Sequence, residues 1–115
     1  MTAPNLVVVG SVAYDSIKTP TQDEKDVLGG SATYFSIASS VLVPTGVVAV
    51  VGDDFKPQHR TLLEDRNVNL DGLETAKGET FRWGGVYDKH LKDRETLFTN
   101  LNVFADFQPK LPESY

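Results

Sequence analysis

The feature that most constrains this chain is a pair of short, continuous apolar runs, Leu6–Val9 and Val47–Val51, joined through an apolar stretch with helical spacing. β-Branched runs without polar alternation fit strands covered on both faces. Between them Ala32, Phe35, Ala38 and Leu42 recur at a spacing that marks one face of a helix over residues 31–43. Ser31 stands at the N-cap position, and Pro44 stops the helix from beyond its last turn. Two such strands joined through a helix predict a parallel βαβ unit. In parallel sheets, ligands bind beyond the carboxyl ends of the strands. Asp15 follows the first strand, and Gly29-Gly30 opens the helix, so both belong at that end. The expectation is a small-molecule site, in which Asp15 accepts ligand hydroxyls and the glycines let a ligand approach main chain. The competing reading of Asp15 is a turn residue that satisfies nearby backbone amides.

Elsewhere the pattern changes. Tyr14–Thr19 and Asp26–Leu28 flank a polar turn and predict a small hairpin. Pro57 sits where first-turn prolines sit, and Leu62 and Leu63 give an amphipathic helix running to Arg66, with Asn67–Gly72 leading out of it. Asp53 or Asp54 is expected to cap that helix rather than to hold a ligand or metal. Residues 79–87 and 93–104 alternate, which describes antiparallel strands with two different faces. Phe81 and Trp83 share one face of the first of these, and Arg82 lies on the other as a candidate polar contact. Two parallel strands and two helices cannot cover both faces of a parallel sheet, so the chain reads as the first part of a larger domain.

Composition removes several function classes. The chain has 115 residues, a net charge of -5 and no cysteine, which excludes a disulfide framework and a thiolate metal site. Lys89, His90, Lys92 and Arg94 are interleaved with Asp88, Asp93 and Glu95 rather than clustered, which argues against a nucleic-acid partner. Apolar runs are too short to span a bilayer, and the N-terminus lacks the basic region of a secretory signal, so a cytoplasmic protein without a membrane partner is expected. His59 and His90 lack metal-ligand spacing and read as surface residues. Gly10 stands alone, without the glycine run of a dinucleotide fold.

Gly10-Ser11, Asp15, Gly29-Gly30 and Val50-Val51-Gly52-Asp53-Asp54-Phe55, followed by alternating segments, carry a family resemblance. The chain resembles the N-terminal third of a PfkB (ribokinase-like) carbohydrate kinase. The resemblance implies an α/β fold, the N-terminal part of a Rossmann-like αβα sandwich with a small antiparallel β-sheet lid. It places residues 5–13 and 29–72 in the core and 14–28 and 73–105 in the lid. It implies transfer of the γ-phosphoryl of ATP to a hydroxyl of a sugar, nucleoside or related alcohol. Asp15 would bind acceptor hydroxyls, and Gly29 and Gly30 would contact the acceptor and act in lid hinging. Tyr34 and Ala13 stand where many members carry asparagine. That loss of polar contacts favours an acceptor with a flatter, less polar part. The family's catalytic aspartate lies in a Gly-Ala-Gly-Asp-type motif that this sequence lacks. ATP and Mg²⁺ would therefore be bound mainly by a C-terminal part absent here, and the chain alone should be inactive. Trp83, Phe81, Phe98 and Phe104 read more readily as sheet packing or a homodimer contact through the lid than as substrate contacts. A non-catalytic binding or dimerisation module is the alternative.

Overall fold

The computed structural model describes residues 3–90 and 92–115. The continuous apolar runs become parallel strands. β1 (Leu6–Val9) pairs with β4 (Thr45–Gly52), which pairs with β5 (Val68–Ala76), giving a parallel sheet of order β1-β4-β5. Every residue of β4 is buried, as a central parallel strand requires. The crossover from β1 to β4 contains β2 (Ala13–Lys18), β3 (Asp23–Gly29) and the helix α1 (Ser31–Ser40), and α2 (Pro57–Asp65) links β4 to β5. Val12, Ala32, Val47, Ala49, Val51, Leu63, Val68 and Leu73 form the core.

A second sheet has the order β3-β2-β6-β7, with β6 spanning Phe81–Tyr87 and β7 spanning Arg94–Asn100. The hairpin expected around residues 14–28 is present as β2 and β3, and β6 and β7 form a second antiparallel pair. The two hairpins, however, join side by side through a parallel β2–β6 pairing. The sheet is thus mixed rather than antiparallel throughout. The reason is connectivity: a long excursion through the parallel sheet separates β3 from β6, so no tight turn dictates their relative direction.

Other boundaries also differ from expectation. Residues 67–72 are not simply an exit from α2: β5 begins at Val68 and continues to Ala76, so the parallel sheet extends past residue 72. A register shift between Gly46 and Val48 masks the strand in sequence, because Leu70 and Asp71 together stand opposite the single residue Val47 of β4. α1 ends at Ser40, short of residue 43, and its N-cap is Gly30 rather than Ser31. Its buried stripe is Ala32, Thr33 and Ser36, whereas Phe35 is 54% exposed and Leu42 84% exposed. Small residues let the helix lie close to the strands, and a search for large apolar side chains selects the wrong face. β7 stops at Asn100, because Asn102 takes a positive φ of 51° and opens a 3-10 turn over Asn102–Asp106.

Candidate functional site

Gly10 ends the first strand region, and the loop through Ser11 and Val12 turns the chain into β2. Ser11 is fastened to the start of α1: the Ser31 amide donates to Ser11 Oγ at 3.0 Å, and the Ala32 amide donates to the Ser11 carbonyl at 2.8 Å. The approach is so close that a Cβ on Gly30 would lie 2.5 Å from the Ser11 carbonyl oxygen, and Gly30 itself has a φ of 99°. Glycine is therefore required there twice over, for space and for backbone conformation.

This fastening sets Asp15 against the glycine pair. β2 and β3 pair Ala13 with Gly29, and the Asp15 side chain leans diagonally across to occupy the space that a side chain at position 29 would need. Across the other edge of β2, Ala13 lies opposite Phe81 and Asp15 opposite Trp83. The result is an open hollow of about 320 Å³ whose lining includes Ala13, Asp15, Gly30, Tyr34, Phe81 and Trp83. Ser11, Ser31, Tyr87 and Arg94 complete it. The hollow lies where the carboxyl end of β1, the start of α1 and the second sheet meet.

Among the described residues the Asp15 carboxylate has no hydrogen-bond or ion-pair partner, so it is not a turn residue that satisfies local amides. Burial pushes its carboxyl above the ordinary value of 3.8. A half-buried carboxylate with unfilled acceptor positions is suited to hydroxyl groups, each of which donates a charge-assisted hydrogen bond.

Ala13, Asp15, Gly30 and Tyr34 thus line one hollow, and Gly29 borders them by supporting Asp15. Arg82 does not join them. It lies on the opposite face of β6, where it pairs with Asp26 and donates to Asp54 Oδ2 at 2.7 Å. Its guanidinium also sits 5.3 Å from the centre of the Tyr14 ring. Strand alternation fixes this outcome: if Phe81 and Trp83 face the hollow, Arg82 cannot.

Asp54 likewise departs from its expected capping role. Lys56 is the N-cap of α2, and no side chain caps the helix. Asp54 instead accepts from the Thr80 amide at 2.9 Å and the Thr80 hydroxyl at 2.6 Å, as well as from Arg82. The Gly52 amide donates to Thr80 Oγ1 at 3.0 Å. The end of β4 is therefore tied to the start of β6, and one sheet is anchored to the other. Burial alone would raise the Asp54 carboxyl, but the Thr80 and Arg82 hydrogen bonds hold it below the ordinary value of 3.8. His59 is not a plain surface residue either. Its Nδ1 lies 2.6 Å from the Tyr14 hydroxyl, which also accepts from the Lys56 amide at 3.1 Å. Burial and the nearby Lys56 charge hold His59 below its ordinary value of 6.5, which favours the neutral ring. His90 is exposed, as expected.

Sequence reasoning did not single out Ser11, Tyr87 or Arg94 as site residues. Tyr87 was legible in principle, since residues 81, 83 and 87 share a face by alternation. Arg94 carried no such signal, because it opens a strand after a polar linker. Phe81 and Trp83 line the hollow rather than only filling a sheet face, although Phe81 also stacks on Phe104 with ring centres 5.4 Å apart. Among the described residues no group of three or more acidic, histidine or cysteine side chains gathers as a metal site. No helix among the described residues is long and apolar enough to cross a membrane.

No family model matches the sequence, and no curated protein matches it. Solved structures do match. The Methanocaldococcus jannaschii nucleoside kinase, described as an archaeal member of the ribokinase family, aligns with a TM-score of 0.63 and 22% identity over 83% of this chain and 37% of its own. The Burkholderia thailandensis nucleoside kinase in complex with inosine aligns with a TM-score of 0.71 and 14% identity over 84% of this chain and 36% of its own. Ribokinase from Cryptococcus neoformans var. grubii in complex with ADP gives a TM-score of 0.67 and 19% identity over 84% of this chain and 34% of its own. The chain has the ribokinase-like fold over the portion it covers, and it spans little more than a third of the length of these kinases.

Proposed function

We propose that this chain is the acceptor-binding part and lid of an ATP-dependent kinase that phosphorylates a hydroxyl of a sugar, nucleoside or related small alcohol. The observation that carries the reading is the convergence of Asp15, Gly30 and the cavity face of β6 on one hollow. In this role Asp15 accepts hydrogen bonds from acceptor hydroxyls and fixes which oxygen faces the phosphoryl donor. Gly29 and Gly30 allow the acceptor to lie against main chain. Closure of the second sheet over the hollow would exclude water and strengthen every polar contact inside it. ATP supplies the phosphoryl group and Mg²⁺ neutralises its charge in such kinases. Among the described residues no group of three or more potential metal ligands gathers, so the roles of these residues are confined to the acceptor. The ADP-bound and inosine-bound neighbours support this class of reaction. A cytoplasmic setting belongs to the same proposal.

The test has two parts. The purified chain, incubated with ATP, Mg²⁺ and a panel of sugars and nucleosides, should release no ADP. It should still bind an acceptor, detected by chemical-shift changes at residues lining the hollow, and Asp15→Asn should weaken that binding at least tenfold. Turnover by this chain, lost on changing Asp15, would refute the division of labour. Acceptor binding indifferent to Asp15 would refute the site.

A second reading is a non-catalytic module that dimerises through the second sheet. β7 is an edge strand exposed along its whole length, and it presents Leu97 at 58%, Phe98 at 37% and, just beyond it, Leu101 at 42% exposure. Light scattering at micromolar concentration separates the two: a stable dimer without acceptor affinity favours the module.

A further inference from the structure

We propose that Arg94 determines the acceptor specificity of this hollow by binding an anionic group, carboxylate or phosphate, on the molecule whose hydroxyl lies at Asp15. The inference rests on the acceptor-site reading above and deepens it.

Arg94 is held against the face of Trp83. Trp83 and Gly85 lie on the same face of β6, and the indole ring covers the glycine so closely that a Cβ there would meet ring carbons at 2.3 and 2.7 Å. The ring therefore lies down along the sheet. Arg94 stands opposite Tyr87 in the β6–β7 ladder, and its guanidinium reaches back to 5.4 Å from the Trp83 ring centre. A guanidinium at that distance is attracted to an indole face and keeps its orientation there. Trp83 thus serves less as an open stacking surface than as the seat of a cation.

That cation is unspent. Among the described residues the Arg94 guanidinium has no hydrogen-bond or ion-pair partner, in contrast to that of Arg82, which holds both Asp26 and Asp54. It is the one Lys or Arg among the residues that line the hollow, and Asp15 is the one carboxylate. A guanidinium carries its donors as a planar fork that matches carboxylate and phosphate oxygens in pairs. An acceptor with an anionic end would be repelled by Asp15 and drawn to Arg94, which leaves its hydroxyl end for Asp15. The same two charges that attract such a molecule also exclude its reversed orientation. A hollow of about 320 Å³ lies within the range of small-molecule sites and suits a sugar acid or a sugar phosphate.

Trp83 is the chain's single tryptophan, so its fluorescence reports on this seat directly. The full chain is titrated separately with gluconate, fructose 6-phosphate, ribose and inosine. Gluconate, fructose 6-phosphate or both should change Trp83 emission at concentrations at least tenfold below those of ribose and inosine, and raising the salt should narrow that gap. A response to gluconate alone assigns a carboxylate; a response to fructose 6-phosphate alone assigns a phosphate. Arg94→Gln should abolish the preference, and Arg94→Lys should restore it only in part. Arg94 is exposed at the start of an edge strand, and circular dichroism would verify that the variants remain folded. If ribose or inosine binds as tightly as the anionic probes, with Asp15→Asn weakening binding and Arg94→Gln changing nothing, the role of Arg94 is overturned and the acceptor site stands. If no probe perturbs Trp83, or if Asp15→Asn leaves every titration unchanged, both fall.

Discussion

Gly29 faces the Asp15 carboxylate so closely that a β-carbon at position 29 would lie 2.2 Å from Oδ2 and 2.9 Å from Cγ. The first member of the glycine pair is therefore a spatial requirement of the acid, whereas the second is a requirement of the backbone. Gly29→Ala should displace Asp15 from the hollow and cost about 1–3 kcal/mol in stability, the usual range for forcing a group into packed space. Urea unfolding measures the cost, and loss of acceptor binding measures the displacement. A variant with unchanged stability and unchanged affinity would show that Asp15 does not depend on this packing.

Asp15 gives a pH signature of its own. Its folded-state carboxyl is raised by burial, so between the ordinary value of 3.8 and the raised value the folded chain holds more proton than the unfolded chain. Stability contributed by this group is therefore greatest at low pH and declines as pH rises through that window. Asp15→Asn should remove this decline and raise the melting temperature at pH 7, while acceptor affinity falls. A melting temperature lowered at pH 7 would mean that the carboxylate has a structural partner.

Much of the parallel sheet was legible because a buried strand writes itself as an unbroken apolar run, and the Val47–Val51 stretch of β4 is such a run. β5 was hidden by its bulge, where Asn69 and Asp71 interrupt the pattern. Asp15 and the glycines were legible as neighbours because strand ends in parallel sheets converge. Arg82 was placed on the correct face of its strand, but its partners were not legible: Asp26 and Asp54 lie far from it in sequence and meet it only after two sheets have joined. The helix face was misread for a different reason. Burial of α1 is governed by how closely it approaches the strands, and that favours Thr33 and Ser36 over Phe35.

The Asp54–Arg82 pair is half-shielded, with side-chain exposures of 26% and 24%, and it joins the two sheets. Asp54→Ala and Arg82→Ala should each destabilise by about 2–3 kcal/mol, as expected for hydrogen bonds to charged groups. Because the two side chains share one network, the double variant should lose less than the sum, with a coupling of about 1–2 kcal/mol. The pH dependence runs opposite to that of Asp15. The Asp54 carboxyl is depressed, so its contribution is full above the ordinary value of 3.8 and is lost as pH falls through the lower folded-state value. Acid unfolding of the Asp54→Asn variant should therefore be shallower than that of the parent. Additive losses in the double variant would contradict a shared anchor.

Tyr115 stabilises the bulge that hid β5. Between Gly46 and Val48 the β4–β5 ladder slips, and the Tyr115 hydroxyl fills the gap. It accepts from the Val47 amide at 3.1 Å and the Gly72 amide at 3.0 Å, and its proton faces the carbonyls of Val47 at 2.7 Å and Asn69 at 2.8 Å. One phenol thereby satisfies backbone groups that the irregular pairing leaves open. Tyr115→Phe keeps the ring and removes only the oxygen. The expected loss is about 1–3 kcal/mol, the penalty for leaving buried backbone donors and acceptors without partners. Hydrogen exchange should accelerate most at the Val47 and Gly72 amides, because these two lose their acceptor. Uniform acceleration across the parallel sheet, with no excess at those two positions, would show that Tyr115 acts by general packing rather than by closing the bulge.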